Sequence, residues 1–316
     1  MRNSILSLFL IFFGNFIVSA QEKTFTEEEI TVDKFTDGTL TSPSEFENPS
    51  LVIFIQGSGP TNRDGNSPEG MNNKSDFAKK IAHELAAEGI ASFRFDKRIM
   101  KAKELNLDSL SFEDLILDVE NILIHFKKDR NFSNIIIAGH SQGSLIGILA
   151  SKNNADALIS IAGAGESIDN ILAAQLSAQL PQLKDDIEQA LKEIKENGSS
   201  SNYPSILGSL FSPQNQAFLA SWIKYDPAEE IAKLQIPVLI INGTNDAQVK
   251  EEQAELLHTA AENSELVLLE NMNHVFRKVN SKDLTKNYQT YNNPELPLHP
   301  EIIPVLTDFI KNLENK

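Results

Sequence analysis

Short, continuous apolar runs recur along the chain and alternate with longer stretches whose apolar positions repeat at helical spacing. The run Leu51-Val52-Ile53-Phe54-Ile55 has no polar position and ends two residues before a glycine. A run of this kind predicts a strand buried on both faces. Similar runs predict strands at residues 91–95, 134–138, 157–162, 238–242 and 266–269. Residues 24–31 and 38–41 are typical of a leading antiparallel pair at the sheet edge.

Amphipathic stretches between these runs predict helices. One follows Ser75, which is expected to cap it, and stops at Gly89. The next opens at Ser111, where Asp114 three residues later completes a capping pattern. Further helices are predicted at residues 143–151, 250–261 and 300–313. Because strands and helices alternate, we expect a mostly parallel, twisted sheet covered by helices on both faces.

Residues 163–234 break this alternation. Their apolar positions repeat at helical spacing, Pro181 interrupts the repeat, and Gly198 with the following serines predicts a loop. We interpret the stretch as a helical cap inserted over the strand tips. The alternative is a pair of ordinary crossover helices, which would require two further strands that the sequence does not show.

The first twenty residues resemble a secretory signal. Arg2 provides a basic start, residues 5–18 are mostly apolar, and Val18-Ser19-Ala20 offers a cleavage site after Ala20. The alternative is an uncleaved membrane anchor, but Asn15 interrupts a stretch already shorter than the roughly 20 residues that span a bilayer. We therefore expect an exported protein, periplasmic or secreted, whose residues 21–316 form a single domain with no membrane segment.

Composition narrows the classes of function. The 28 Lys and Arg residues against 44 Asp and Glu residues give a net charge of −16. This charge argues against a nucleic-acid-binding protein, because such binding depends on cationic side chains. The chain has no Cys, which excludes thiol nucleophiles, disulfides and thiolate metal sites. A soluble enzyme or a small-ligand binder remains, of unknown oligomeric state.

The chemistry is predicted at Gly139-His140-Ser141-Gln142-Gly143, directly after a buried strand and at the start of a helix. This context is that of a nucleophile elbow, a tight turn that lifts a serine hydroxyl above the sheet edge. Gly139 and Gly143 lack the Cβ atoms that would collide as the turn closes. A chance match to the five-residue pattern is the alternative, and the flanking strand and helix make it improbable.

A serine nucleophile needs a base, and the base needs an orienting acid. In this fold the chain order is serine, acid, histidine. Asp246 follows the strand at 238–242 and His274 follows the strand at 266–269, so both are expected at the carboxyl edge of the sheet. The alternatives are His299 as base and Asp226 or Glu270 as acid, and His140 is expected to point away from the hydroxyl.

The tetrahedral oxyanion needs two backbone N–H donors. We expect one from Gln142, directly after the nucleophile, and the other from Ser58 in the loop Gln56-Gly57-Ser58-Gly59-Pro60. Gly57 would let that loop approach a ligand closely. Taken alone, the loop could equally be an ordinary glycine turn.

These motifs together resemble the α/β-hydrolase superfamily, and more closely its bacterial esterase and serine-aminopeptidase-like branch. The resemblance covers roughly residues 45–313 and implies the triad Ser141, Asp246 and His274 and a helical cap. It departs from many relatives at Gln56, where they carry His. Three further segments share the likeness: Asn62-Arg63-Asp64, Arg94-Phe95-Asp96-Lys97-Arg98 and Ser221-Trp222-Ile223-Lys224-Tyr225-Asp226-Pro227.

The leading hypothesis is an esterase that cleaves carboxylic esters of small or medium acyl groups through an acyl-enzyme, with no cofactor and no metal. A peptidase, a thioesterase and a non-catalytic binding protein are the alternatives. An aminopeptidase needs a carboxylate to hold the substrate ammonium. The predicted cap offers acidic residues, although they are more typical of a solvated helix face; they are Glu166, Asp169, Asp185 and Asp186. Trp222 and Tyr225 are expected either to line the pocket or to pack at a helix end.

Overall fold

The computed structural model describes residues 25–71, 73–128, 131–152 and 155–314. The predicted signal peptide, residues 1–20, lies outside the described residues. The described residues form one sheet whose strands are β1 (Phe25–Thr31), β2 (Asp37–Pro43), β3 (Leu51–Ile55), β4 (Ala91–Phe95), β5 (Ile135–His140), β6 (Ala157–Ile161), β7 (Val238–Gly243) and β8 (Ser264–Leu269).

The sheet is parallel apart from its first two strands. Its order is β1-β2-β4-β3-β5-β6-β7-β8, and both pairings of β2 are antiparallel. The chain adds β4 on one side of β3 and β5 on the other. The direction of winding therefore changes at β3 and β5, and the carboxyl ends of strands at such a switch point form the usual ligand crevice.

Helices connect the strands and cover the sheet. They are α1 (Phe77–Ala87), α2 (Phe112–Lys128), α3 (Gln142–Ser151), α4 (Ile168–Gln179), α5 (Lys184–Asn197), α6 (Pro213–Ile223), α7 (Pro227–Ile231), α8 (Glu251–Ala260), α9 (Leu284–Gln289) and α10 (Ile302–Glu314). Short 3₁₀ turns join some of them.

Alternate residues of each buried strand pack into different layers, as the two-residue period of a strand requires. Ile53 of β3 belongs to the apolar layer that includes residues of α2, α3 and α8, whereas Phe54 belongs to the layer that includes residues of α1 and α10. A separate apolar cluster joins α4, α5 and α6 between β6 and β7, and its fully buried members include Ile187, Ile194 and Phe211. We call these three helices the cap helices. The predicted fold class, a mostly parallel sheet with helices on both faces and a helical insertion, is confirmed.

Two local predictions differ from the structure. Helix α1 begins after Asp76, and Ser75 does not cap it. Asn66 Oδ1 instead accepts the N–H groups of Ser75 and Asp76, each at 3.0 Å. The N–H of Ala78 in the first turn donates to the Asp64 carbonyl at 3.2 Å, so a backbone acceptor takes the place of the expected serine cap. Helix α9 was not predicted, because its six residues are too few to show a helical period.

Candidate active site

Ser141 stands on the tight turn between β5 and α3. Its backbone φ of 54° lies in the left-handed region, an uncommon and costly conformation for a residue with a Cβ. The turn closes only because glycines flank it. A Cβ on Gly139 would lie 2.2 Å from the carbonyl oxygen of Gly143, and one on Gly143 would lie 2.4 Å from that of Ile55. The absence of a Cβ at both positions therefore lets the turn close and place the serine at the carboxyl end of β5.

Asp246 and His274 form a buried pair, each about 4% exposed. His274 Nδ1 lies 2.7 Å from Asp246 Oδ2. The other oxygen, Oδ1, accepts the backbone N–H groups of Gln248 at 2.7 Å and Val249 at 3.0 Å. The carboxylate is therefore fixed in orientation and accepts a hydrogen bond from the His274 Nδ1–H. The other ring nitrogen, Nε2, then carries no proton and can act as the base.

The loops that carry this pair are tied to each other and to α9. Asn245 N–H donates to the carbonyl of Met272 at 3.0 Å, which links the Asp246 loop to the His274 loop. Asn273, buried beside the histidine, donates from Nδ2 to Asn287 Oδ1 and Thr290 Oγ1 at 3.1 and 2.7 Å. Its own Oδ1 accepts the Arg277 N–H at 2.9 Å. This bonding holds the His274 backbone in place.

Ser141 and His274 line the same cavity of about 240 Å³, together with Gly57 and Ser58. The serine meets the His274–Asp246 pair across this cavity and not through a formed hydrogen bond. Catalytic hydrogen bonds are often long without substrate and tighten when it binds. The structure thus brings together the three residues predicted as a triad.

His140 lies closer to the reacting groups than the sequence suggested. Its ring stands 4.6 Å from the His274 ring, and its Nε2 donates to the His274 carbonyl at 3.0 Å. It also lines the cavity that Ser141 faces. Burial lowers the pKa of His140 well below its ordinary value, and proximity to His274 adds to this. His140 is therefore a neutral residue that supports the His274 backbone.

The predicted oxyanion loop touches the nucleophile. A Cβ on Gly57 would lie 3.2 Å from the Ser141 Cβ, so the loop passes at van der Waals distance from the turn. Within the described residues, the backbone N–H groups of Ser58 and Gln142 donate to no protein acceptor. Gln142 is the first residue of α3, where N–H groups have no partner inside the helix. Both donors are available to an oxyanion.

Lys97 was not singled out from the sequence, yet it connects both donor segments. Its Nζ donates to the Gly57 carbonyl at 2.6 Å and to Gln142 Oε1 at 2.8 Å. The side chain is 5% exposed, and no described carboxylate lies within salt-bridge distance of it. Burial lowers the pKa of Lys97 from 10.5 to about 7. Its only mark in the sequence was its place two residues after the strand, in the segment 94–98 that shares the family likeness, which does not indicate what its side chain contacts.

The same loop is held from behind by Gln56 and Arg63. Gln56 is fully buried, and its Nε2 donates to the Arg63 carbonyl at 3.2 Å. The Arg63 guanidinium forms a two-pronged contact with Asp96, at 3.1 Å from Nε and 2.7 Å from Nη2. The amide at position 56, where many relatives carry His, therefore supports the loop through a bond to its backbone.

A larger cavity of about 500 Å³ opens on the other side of Ser141, between the turn and the cap helices. We call it the cap cavity, and the 240 Å³ cavity that contains His274 the polar cavity. Trp222 lines the cap cavity and also stacks on Phe112 with ring centroids 5.2 Å apart. Tyr225 does not line it; its hydroxyl contacts Glu113 at 3.2 Å.

The rival residues lie elsewhere or are otherwise engaged. His299 Nε2 lies 3.0 Å from the Glu270 carbonyl, outside both cavities, and Glu270 is exposed. Asp226 caps α7 through the N–H groups of Ala228 and Glu229. The structure therefore separates all three from the nucleophile.

The predicted acidic residues of the cap do not gather at the site. Asp169 pairs with Lys195 at 2.8 Å, and Asp185 and Asp186 are exposed. Glu166 does line the cap cavity, where its carboxylate accepts from Gln253 Nε2 at 2.6 Å. In the described ranges, we find no cluster of His, Asp and Glu that could hold a metal, and none of the helices there is long and apolar enough to cross a bilayer.

The sheet order, the strained turn and the Asp–His pair define an α/β-hydrolase. Within that class, the chain belongs to the family described as "Serine aminopeptidase, S33", whose model matches residues 68–277. Among curated proteins it is similar to Esterase EstD of Thermotoga maritima, with 26% identity over 284 residues. That match covers 84% of this chain and 64% of the relative, so the chain spans just under two thirds of the relative's length.

Solved structures show the same fold. Est1E from Butyrivibrio proteoclasticus superposes with a TM-score of 0.58 at 18% identity, covering 92% of this chain and 99% of its own. The Pyrococcus furiosus esterase Pf2001 superposes with a TM-score of 0.55 at 16% identity, covering 93% and 92%. At these identities the likeness concerns architecture, and the activity must be argued from the site.

Proposed function

We propose that this protein is a serine hydrolase that cleaves carboxylic esters of small or medium acyl groups. The observation that carries the proposal is the buried His274–Asp246 pair, 2.7 Å apart, opening on the same cavity as Ser141 on its strained turn. The esterase names of EstD, Est1E and Pf2001 support an ester as the bond cleaved.

In the first half of the reaction His274 Nε2 takes the Ser141 proton as Oγ attacks the ester carbonyl carbon. The carbonyl electron pair moves to oxygen, and the Ser58 and Gln142 N–H groups bind the resulting oxyanion. When the tetrahedral intermediate collapses, the bond from carbon to the alcohol oxygen breaks. His274 gives its proton to that oxygen, and the alcohol leaves.

In the second half, water attacks the acyl-enzyme as His274 takes one of its protons. Collapse breaks the bond from carbon to Ser141 Oγ, which recovers the proton, and the carboxylic acid leaves. Asp246 holds the Nδ1 proton throughout and stabilises the imidazolium that forms in each half. The residues named here suffice for this sequence without a cofactor.

The test is turnover by residues 21–316 on nitrophenyl esters of graded chain length and on aminoacyl anilides. We expect ester turnover, and we expect Ser141→Ala to reduce kcat by a factor of about 10⁴ or more. Ser151→Ala, at the far end of α3, is the matched control and should keep normal turnover. Equal turnover by Ser141→Ala would contradict the proposed nucleophile. Cleavage of anilides but not esters would make the protein a peptidase, with Glu166 as the candidate anchor for the substrate ammonium.

We also propose that residues 1–20 direct export and are removed after Ala20. Amino-terminal sequencing of the protein recovered from the periplasm or culture medium tests this directly. Intact protein beginning at Met1 in the membrane fraction would contradict it.

A further inference from the structure

Two cavities of different chemistry meet at Ser141. The cap cavity is about 500 Å³ and the polar cavity about 240 Å³. Ser58, Ser141 and Gln248 line both, so the nucleophile and one oxyanion donor stand at the junction. An ester whose carbonyl carbon sits at Ser141 must therefore extend one of its two groups into each cavity.

The cap cavity is mostly apolar, although Glu166, Gln175 and Asn215 also reach its wall. Its hydrocarbon and aromatic walls come from α4 and α6, namely Ile168, Ile171, Leu172, Phe218, Leu219 and Trp222. Its volume falls in the range of roughly 300–1,000 Å³ typical of small-molecule sites. Such a surface favours a hydrocarbon or aromatic group of medium size, because burying that group removes apolar area from water.

The polar cavity instead presents two side chains with unused hydrogen-bonding capacity. Asn73 lines it, and the Oδ1 of Asn73 is buried but bonded to no described residue. Tyr291 also lines it, and its hydroxyl oxygen accepts from Gln248 Nε2 at 3.1 Å, which leaves the O–H hydrogen free to donate. Burial keeps the pKa of Tyr291 above its ordinary value, so this hydrogen stays in place. A buried acceptor and a buried donor that lack partners favour a ligand able to satisfy both, such as a hydroxyl.

The position of His274 decides which group of the ester enters which cavity. His274 lines the polar cavity and not the cap cavity. The leaving alcohol oxygen must receive its proton from His274 Nε2, so the alcohol lies on the histidine side of the junction. The acyl group then occupies the cap cavity.

We propose that the substrates are esters of an apolar, medium-sized carboxylic acid with an alcohol that carries at least one further hydroxyl, that is, a polyol or sugar ester. Asn73 accepts a hydrogen bond from the extra hydroxyl, and Tyr291 donates one to it. This assignment rests on the proposed ester hydrolysis, and it specifies the acyl group and the alcohol of the ester. The bonds formed and broken are those already given.

The test compares two esters that share an acyl group and a three-carbon alcohol: 1-octanoylglycerol and propyl octanoate. We expect kcat/KM to be roughly 30-fold higher for the glycerol ester, because each of the two proposed hydrogen bonds contributes about 1 kcal/mol, a factor of about five. Tyr291→Phe and Asn73→Ala should each bring the ratio of the two kcat/KM values toward one. Tyr203→Phe, which removes a hydroxyl that lines neither cavity, is the matched control and should keep the ratio.

A second variant tests the orientation. Ile171→Trp fills part of the cap cavity and should shift the preferred acyl chain to shorter lengths while the glycerol-to-propyl ratio stays high. If Ile171→Trp changes the alcohol preference and not the acyl preference, the two cavities have the opposite roles. Ester hydrolysis without preference for the glycerol ester overturns this assignment alone. If no ester is hydrolysed in a Ser141-dependent way, both the proposed function and this assignment are overturned.

Discussion

One buried side chain, that of Lys97, joins the two segments that carry the proposed oxyanion donors. Its Nζ joins the Gly57 carbonyl and the Gln142 side chain, and the residues that supply the proposed oxyanion donors are Ser58, next to Gly57, and Gln142 itself. The two donor segments come from different strands, β3 and β5, and the lysine bridges them. Lys97 is thus a positioning residue of the oxyanion hole under the proposed mechanism.

Replacing this lysine should impair chemistry more than substrate binding. We expect Lys97→Met to lower kcat by about 10- to 100-fold with little change in KM, somewhat less than the loss of an oxyanion donor itself. Steady-state kinetics on a nitrophenyl ester measures this split. Lys101→Met, which removes a lysine that pairs with Asp37 at the surface, should leave both constants nearly unchanged. A rise in KM at constant kcat would contradict the positioning role.

The buried ammonium also predicts a dependence of stability on pH. Burial lowers the pKa of Lys97 to about 7 in the folded protein, whereas the unfolded chain keeps the ordinary 10.5. Between these values the unfolded state binds more protons, so the free energy of unfolding rises with pH, by at most about 1.4 kcal/mol per unit. Below about pH 7 both states are protonated and the contribution is constant.

Urea denaturation of the wild type and of Lys97→Met measures this contribution as a difference. Across pH 6 to 9 we expect the wild type to gain stability relative to the variant, chiefly above pH 7. A difference that stays flat, or that shrinks as the pH rises, would show that the lysine is not desolvated in the folded state.

At the level of secondary-structure elements, the cap helices form an apolar core of their own. Their apolar cluster is separate from the two layers of the sheet, and it supports the walls of the cap cavity. An element with its own cluster can open locally without global unfolding. The packing of the cap helices therefore sets the shape of the cap cavity, which is the acyl site in the proposed substrate assignment.

Ile194→Ala tests this independence, because Ile194 is fully buried in the cap cluster. Removing its side chain should destabilise the cap by about 2–4 kcal/mol. We expect faster hydrogen exchange in α4 to α6 and a broader tolerance of acyl length, with exchange in β5 unchanged. Ile137→Ala, in the central strand, is the control and should raise exchange across the sheet. Uniform exchange increases in both variants would mean that cap and sheet unfold together.

The whole molecule carries a strong negative charge, −16 over the sequence. Long-range repulsion should slow the approach of anionic esters, and salt should screen it, since the Debye length falls from roughly 30 Å at 0.01 M to 8 Å at 0.15 M. We expect kcat/KM for nitrophenyl succinate to rise with sodium chloride relative to nitrophenyl butyrate. A ratio that falls with salt would reveal a local cationic surface at the entrance.

The sequence predicted the strands, the nucleophile turn and the order of the triad residues, but it did not predict the hydrogen-bond networks of the side chains. The apolar runs predicted the parallel strands because their burial on both faces leaves a continuous signal. The elbow and the chain order of Ser141, Asp246 and His274 placed the candidate triad, since strand ends meet at one edge. The sequence did not predict the roles of Lys97, Asn73 and Tyr291. These roles depend on contacts between segments that are distant in the chain, and a local pattern does not record such contacts.

The glycines at 139 and 143 allow the backbone of the nucleophile turn to close, and the Ser141 N–H donates to the Ile161 carbonyl at 2.9 Å, so we expect exchange of the Ser141 oxygen for sulfur to leave the turn in place. The chain contains no cysteine. Ser141→Cys would therefore place the only thiol of the protein beside His274. Its alkylation rate as a function of pH would report the thiolate–imidazolium pair directly. A thiol on this turn would therefore allow the ionisation of the nucleophile–histidine pair to be measured by alkylation, without any substrate.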